Sequence, residues 1–327
     1  MTGNGNRNLI VLTLAVVSLG LAALAWADGF LGGLQEVWGP RYTYGGTPAL
    51  QLLSSPRSPR VVGDDASSVL YWNEVMTDAN AIDHTPPAPG ESRVFGEQLG
   101  PARTSLAFAI VHIAVFDAVN AIVGGYKSYT DLYPAPYGAS AKGAVAKAAH
   151  DTLVALFPSQ SPRFDALLAD DLSYMPPGSS KANGIEVGRR AAAAILALRA
   201  DDGSGQAEPR IGVDFFPSNQ PGKWRPDPIS QSPLALGARW STVKPLVIAS
   251  ASQFRVPSPP ALGSLQYSYA FDEVKFYGGD GVITPTARNA DQTMEGIYWG
   301  YDGTPGLGTP PRLYNQIAAQ LARQRGA

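Results

Sequence analysis

The sequence predicts an all-α protein, a helical bundle of about eight helices joined by long Pro/Gly-rich loops. Apolar residues recur at three- and four-residue intervals in separate stretches along the chain. No stretch alternates apolar and polar residues with a convincing period of two, the pattern a half-buried strand requires. The 35 glycines and 28 prolines concentrate between the periodic stretches, where they stiffen and punctuate connections.

The 327 residues, 45% hydrophobic and 16% charged, suffice for a sizeable core in one large domain or two modest ones. A net charge of −2 argues against nucleic acid as a partner, because such proteins carry a basic surplus or stripe. The absence of cysteine excludes disulfides, thiolate metal sites and cysteine nucleophiles.

Residues 1–27 read as a signal peptide. Arg7 supplies the positive flank, residues 9–24 the apolar stretch, and Ala25-Trp26-Ala27 a small-x-small cleavage site before Asp28. This predicts export to the periplasm or the extracellular space. The competing reading is an uncleaved membrane anchor over residues 9–26, since the apolar run approaches the ~20 residues that span a bilayer. No other membrane contact is expected. Residues 28–66 have no clear period and predict a loosely ordered arm. Residues 67–327 form the helical bundle domain.

The first helix is expected over 67–81, where Val69, Trp72, Val75, Met76 and Ala79 share a face. Residues 101–122 are apolar nearly all round and predict the central helix of the bundle. Helices over 140–157, 161–175 and 181–202 follow, the last with Gly203 just past its end. Residues 203–258 carry eight prolines with Phe215, Phe216, Trp224 and Trp240 among them; a segment this long without periodicity is expected to wrap over the surface through its aromatic residues. Periodicity returns over 258–278, over 284–303 with Thr284 as N-cap and Pro285 at the first helical position, and over 310–326.

No complete catalytic motif is present. The three histidines, His84, His112 and His150, stand in no HxxxH or HExxH arrangement, and GxSxG, GxGxxG and Walker patterns are missing. No metal-ligating or cofactor-binding residues are therefore assigned. His112, Asp117 and Asn120 could form a polar cluster on the central helix, more simply read as a satisfied hydrogen-bond network. Arg189-Arg190 and Lys142/Lys147 read as solvated helix faces, and Lys223-Arg225 as a weak anion site in a Pro-rich loop. One residue raises a sharper question. Asp302 lies in YWGYDGTPGLGTPPRLYNQI, wedged between aromatic and apolar runs, where a carboxylate needs a cationic partner.

Three segments, RTSLAFAIVHIAVFDAVNAI, LGARWSTVKPLVIASASQFRVPSPPAL and above all YWGYDGTPGLGTPPRLYNQIA, resemble the N-terminal helical half of bacterial vanadium-dependent haloperoxidases, members of the type 2 phosphatidic acid phosphatase superfamily. The likeness covers roughly residues 67–325. It implies the first of two helical bundles, and halide oxidation by hydrogen peroxide on a vanadate cofactor in the complete family enzyme. In that family vanadate is held by a KxxxxxxRP segment, a PSGH segment and SRxxxxHxxxD. Here the only Arg-Pro pair is Arg225-Pro226, Ser218 stands where the lysine belongs, and no histidine follows a glycine.

The resemblance makes Asp302 the partner of a vanadate-binding arginine that this chain lacks. The chain is thus expected to be truncated before the family's second bundle, to bind no vanadate alone, and to be inactive by itself. Its expected partner is a missing C-terminal helical bundle or a complementary chain, with self-association through the Leu313, Ile317 and Leu321 stripe when uncovered. Two other readings remain open at this point: a non-catalytic exported helical scaffold or binding domain, and an acid phosphatase-like member of the same superfamily.

Overall fold

The computed structural model describes residues 65–226 and 232–325. The proposed signal peptide and most of the arm lie outside them. Among the described residues there are eight α-helices and no strand, only isolated bridges. They are α1 (Asp65–Asp83), α2 (Gly100–Val123), α3 (Ala141–Leu156), α4 (Ser161–Ser173), α5 (Ser179–Arg199), α6 (Leu265–Tyr277), α7 (Ala290–Gly300) and α8 (Pro310–Gln324). The all-α expectation therefore holds.

The centre of the bundle is α3, not α2. α3 packs against α1, α2, α4 and α5, and its alanines 144, 146, 148 and 149 are fully buried. Small residues decide this, because they let helix backbones approach closely. At Gly188 of α5 an added Cβ would lie 2.3 Å from the Ala144 carbonyl oxygen, and at Gly184 2.3 Å from that of Ser140. α2 is more apolar but bulkier. It buries Ala107, Phe108, Val111, Ala114 and Ala118 and turns Phe116 and Val123 outward, 40% and 72% exposed.

Two helix starts differ from expectation. α7 begins at Ala290, with Asn289 and Gln292 forming a reciprocal capping box. Thr284 is instead drawn into a turn in which the Asp280 carboxylate accepts from the amides of Val282, Ile283 and Thr284 at 2.8–2.9 Å. α6 starts at Leu265, capped by Ser264. α5 ends at Arg199, so Gly203 lies three residues beyond its C-cap, Ala200.

The 203–258 segment does fold back over the bundle, but cations tether it more than aromatic rings. Arg103 donates to Glu208 (2.9 Å), to the Ser204 carbonyl (2.6 Å) and to the Gln206 carbonyl. Arg199 pairs with Asp202 (2.5 Å) and donates to the Lys244 carbonyl (2.6 Å). Trp240 lies against the Arg103 guanidinium, whereas Phe216 and Trp224 stay exposed.

Candidate functional site

The segment 301–309 between α7 and α8 packs onto the C-terminal end of α1, and Asn80 is the anchor. Its side chain is fully buried, donates to Thr104 Oγ1 of α2 (2.9 Å), and accepts from the Thr309 amide (3.2 Å). Beside it the Gly306 amide donates to Thr85 Oγ1 at 2.8 Å. Gly308 adopts φ +73, and an added Cβ would sit 2.2 Å from Asn80 Oδ1, so both the backbone and the available space require glycine there.

Asp83 and His84, at the end of α1, cap the approach to α2. Asp83 accepts from the amides of Glu97 (2.8 Å) and Gln98 (3.0 Å), and His84 Nε2 accepts from the Gly100 amide (3.1 Å). His84 Nδ1 donates to the Asn80 carbonyl at 2.9 Å, which assigns the neutral tautomer. Burial pushes the His84 pKa down, opposed by the Asn80 carbonyl and by the charge of Asp302. Burial raises the Asp83 carboxyl to about 6, against the two amides that favour its ionised form.

These shifts set a pH response. Below about pH 6.5 the unfolded chain protonates its histidines while native His84 and His112, both held by burial below the ordinary histidine value of 6.5, resist. The unfolded state then binds more protons, so stability falls as pH falls, by up to about 1.4 kcal/mol per pH unit for each histidine. Asp83 works in the opposite sense between about 6 and 3.8, where the native carboxyl keeps a proton that the unfolded one releases. Asp302, also raised, acts in the same sense as Asp83. The share of His112 is isolated by His112→Gln, whose urea midpoint is expected to fall less, relative to the unsubstituted chain, between pH 7 and 5. The same pH profile in the variant as in the unsubstituted chain would contradict a neutral, buried His112.

Asp302 sits at the rim of this seat, open to solvent, with Gly303 against the His84 ring; an added Cβ at Gly303 would be 3.7 Å from His84 Cδ2. Partial desolvation raises the Asp302 pKa, and His84 pulls it back. Asp302 makes no ion pair or hydrogen bond with a described residue. The two arginines nearest in sequence are engaged elsewhere. Arg312, buried, donates to the carbonyls of Thr77 (3.1 Å) and Leu307 (3.1 Å) and lies 3.8 Å from Asp78. Arg288 lines the same open cleft of about 460 Å³ as Asp302, but its guanidinium donates to the carbonyls of Tyr277 and Gly279.

The other residues singled out from sequence do not converge here. His112, Asp117 and Asn120 form no common cluster, because each faces a different neighbour. His112 Nε2 meets Asn73 Oδ1 at 3.0 Å, Asp117 accepts from Ser128, Tyr129 and Thr130, and Asn120 brackets Tyr126. Arg189 is exposed and pairs with Glu186, Lys147 pairs with Asp151, and Lys223 and Arg225 are exposed. His150, unremarked from sequence beyond its lack of a metal motif, lies between Asp151 (2.7 Å) and Asp165 (2.8 Å). Among the described residues no group of three or more His, Asp or Glu side chains is arranged to hold a metal ion.

A vanadate oxyanion needs several cationic donors converging on one point. The seat around Asp302 offers a carboxylate, a neutral imidazole whose nitrogens are both used, and arginines committed to backbone carbonyls. The residues present do not fit the group.

The architecture defines a class: an all-α bundle with a vanadium haloperoxidase-like fold. Among individual proteins, the vanadium chloroperoxidase of Curvularia inaequalis is 27% identical over 304 residues, covering 78% of this chain and 48% of that protein. The crystal structure of a bacterial vanadium-dependent iodoperoxidase superposes with a TM-score of 0.61 at 21% identity, covering 80% of this chain and 62% of that one. No family model matches. The chain spans about half the length of the curated relative.

Proposed function

We propose that this chain is a haloperoxidase-type protein whose helical bundle is the N-terminal half of the family's fold, exported through its N-terminal segment. In this reading Asp302 pairs with a vanadate-holding arginine supplied by a second helical bundle, from residues outside this sequence or from a complementary chain. The carboxylate would orient the guanidinium fork and balance its charge. The observation that carries the reading is the seat itself: Asn80, Thr85, His84 and Gly308 hold the loop firmly, yet the carboxylate it presents has no cation among the described residues.

The surface beside it supports the same reading. On α8, Leu313 is buried while Tyr314, Ile317 and Leu321 are 60%, 41% and 46% exposed, an apolar stripe that suits a packed helical neighbour. By itself the sequence holds neither KxxxxxxRP nor PSGH, and we propose that it is inactive alone.

The experiment is a vanadate titration followed by ⁵¹V NMR, with bromide oxidation by peroxide assayed on the same sample. The expected result is an unbroadened vanadate signal and no oxidation. Adding a bundle encoded beyond the codon for Ala327, or by a neighbouring gene, and carrying the missing motifs should produce both, and Asp302→Ala should reduce them. Halide oxidation by the isolated chain would overturn the proposal.

A further inference from the structure

Among the described residues three aspartates stand directly before a glycine: Asp202-Gly203, Asp280-Gly281 and Asp302-Gly303. Such a step can close on itself, because glycine has no side chain to shield its amide nitrogen from the preceding carboxyl group. What decides is how firmly the two reacting groups are held, and the fold treats the three steps differently.

The Asp202 carboxylate is buried, pairs with Arg199 at 2.5 Å and accepts from the Ser204 amide at 2.7 Å. At Asp280 one carboxylate oxygen accepts from the amides of Val282, Ile283 and Thr284, which hold its pKa down and keep it ionised. The Gly281 amide is engaged as well, donating to the Thr284 carbonyl at 2.9 Å.

Asp302 is the exception. It is exposed, and neither its carboxyl group nor the Gly303 amide makes a hydrogen bond with a described residue. The chain on either side is fixed: Tyr301 is buried with its hydroxyl on the Thr309 carbonyl, and the Thr304 carbonyl accepts from the amides of Leu307 and Gly308. Partial desolvation also raises the Asp302 pKa, which leaves more of the neutral acid that can lose water.

We infer that Asp302-Gly303 is a site of spontaneous isomerisation, at which aspartate converts to isoaspartate through a cyclic imide. The Gly303 nitrogen attacks the protonated Asp302 carboxyl carbon. A C–N bond forms, and the amide proton and the hydroxyl group leave as water. Solvent water then opens the imide at either carbonyl. One opening restores aspartate; the other routes the main chain through the side-chain carbons and leaves the former main-chain carboxyl as the side group. The isomer keeps its charge but lengthens the main chain, so the carboxylate no longer lies where Asp302 presents it. The altered chain becomes a substrate for an isoaspartate-directed carboxyl methyltransferase. This chemistry needs only the Asp302-Gly303 step and water, so it goes beyond the haloperoxidase reading and does not depend on it.

The test is prolonged incubation of the full chain at pH 7, native and in guanidinium chloride, with peptide mapping by mass spectrometry that distinguishes aspartate from isoaspartate. In denaturant the three steps should isomerise at similar rates. In the native chain Asp302 should retain most of that rate, while Asp202 and Asp280 slow by roughly tenfold or more, the factor that one hydrogen bond to a charged group is worth. Asp302→Glu, whose longer side chain must close a less favourable ring, should remove the signal at this position without changing the charge. Native Asp302 protected as strongly as Asp202 and Asp280, or either of those reacting as fast as Asp302 in the native chain, would overturn the inference.

Discussion

Asp83→Ala is expected to lower the free energy of unfolding by about 2–4 kcal/mol, measured by urea denaturation at pH 7. The carboxylate is fully buried and receives the amides of Glu97 and Gln98. Alanine leaves both donors buried and unmatched, at about 1–3 kcal/mol each. Part of that loss is offset, because the ionised carboxylate is itself desolvated, as its raised pKa records. Asp83→Asn should fall between the two, since its amide oxygen keeps one of the bonds. A stability unchanged by alanine would show that the turn before α2 is held by His84 and Arg93 alone, the latter donating to the carbonyls of Ile82 (2.7 Å) and Thr85 (3.1 Å).

Gly308→Val is expected to detach the loop that presents Asp302 while leaving the α1–α5 bundle folded. The left-handed φ at Gly308 costs a β-branched residue on the order of 1–2 kcal/mol. The clash with Asn80 Oδ1, 2.2 Å from the added Cβ, forces the Asn80 side chain away and breaks its bonds to Thr309 and Thr104. Hydrogen exchange at the Gly306 and Thr309 amides should accelerate roughly a hundredfold, with little change in α3 and α5. Unchanged protection at those two amides would mean that Arg312 alone secures the loop through Thr77 and Leu307. Asn80→Ala should give a similar local opening, because it removes the same anchor from the other side.

The sequence by itself determined the helical class, because a period of three to four residues with no period of two admits only helices packed on helices. It also located most helices to within a few residues, α2 over 100–123 against an expected 101–122 among them. At the site it singled out Asp302 and the likeness of its loop to the haloperoxidases, because Gly-rich turns flanked by helices leave a readable local pattern.

Only the tertiary structure decided which helix lies at the centre. Hydropathy favours α2, but the closest backbone approach belongs to α3 and α5 through Gly184 and Gly188, and burial follows how closely backbones approach as well as how apolar the side chains are. The structure also decided what surrounds Asp302. Asn80, His84 and Thr85 lie more than 200 residues away in sequence, and nothing in their spacing links them to the loop after α7. Hydrogen-bond partners this distant are set by where helix ends meet in space. Local periodicity records which face of a helix is buried, but not what that face is buried against.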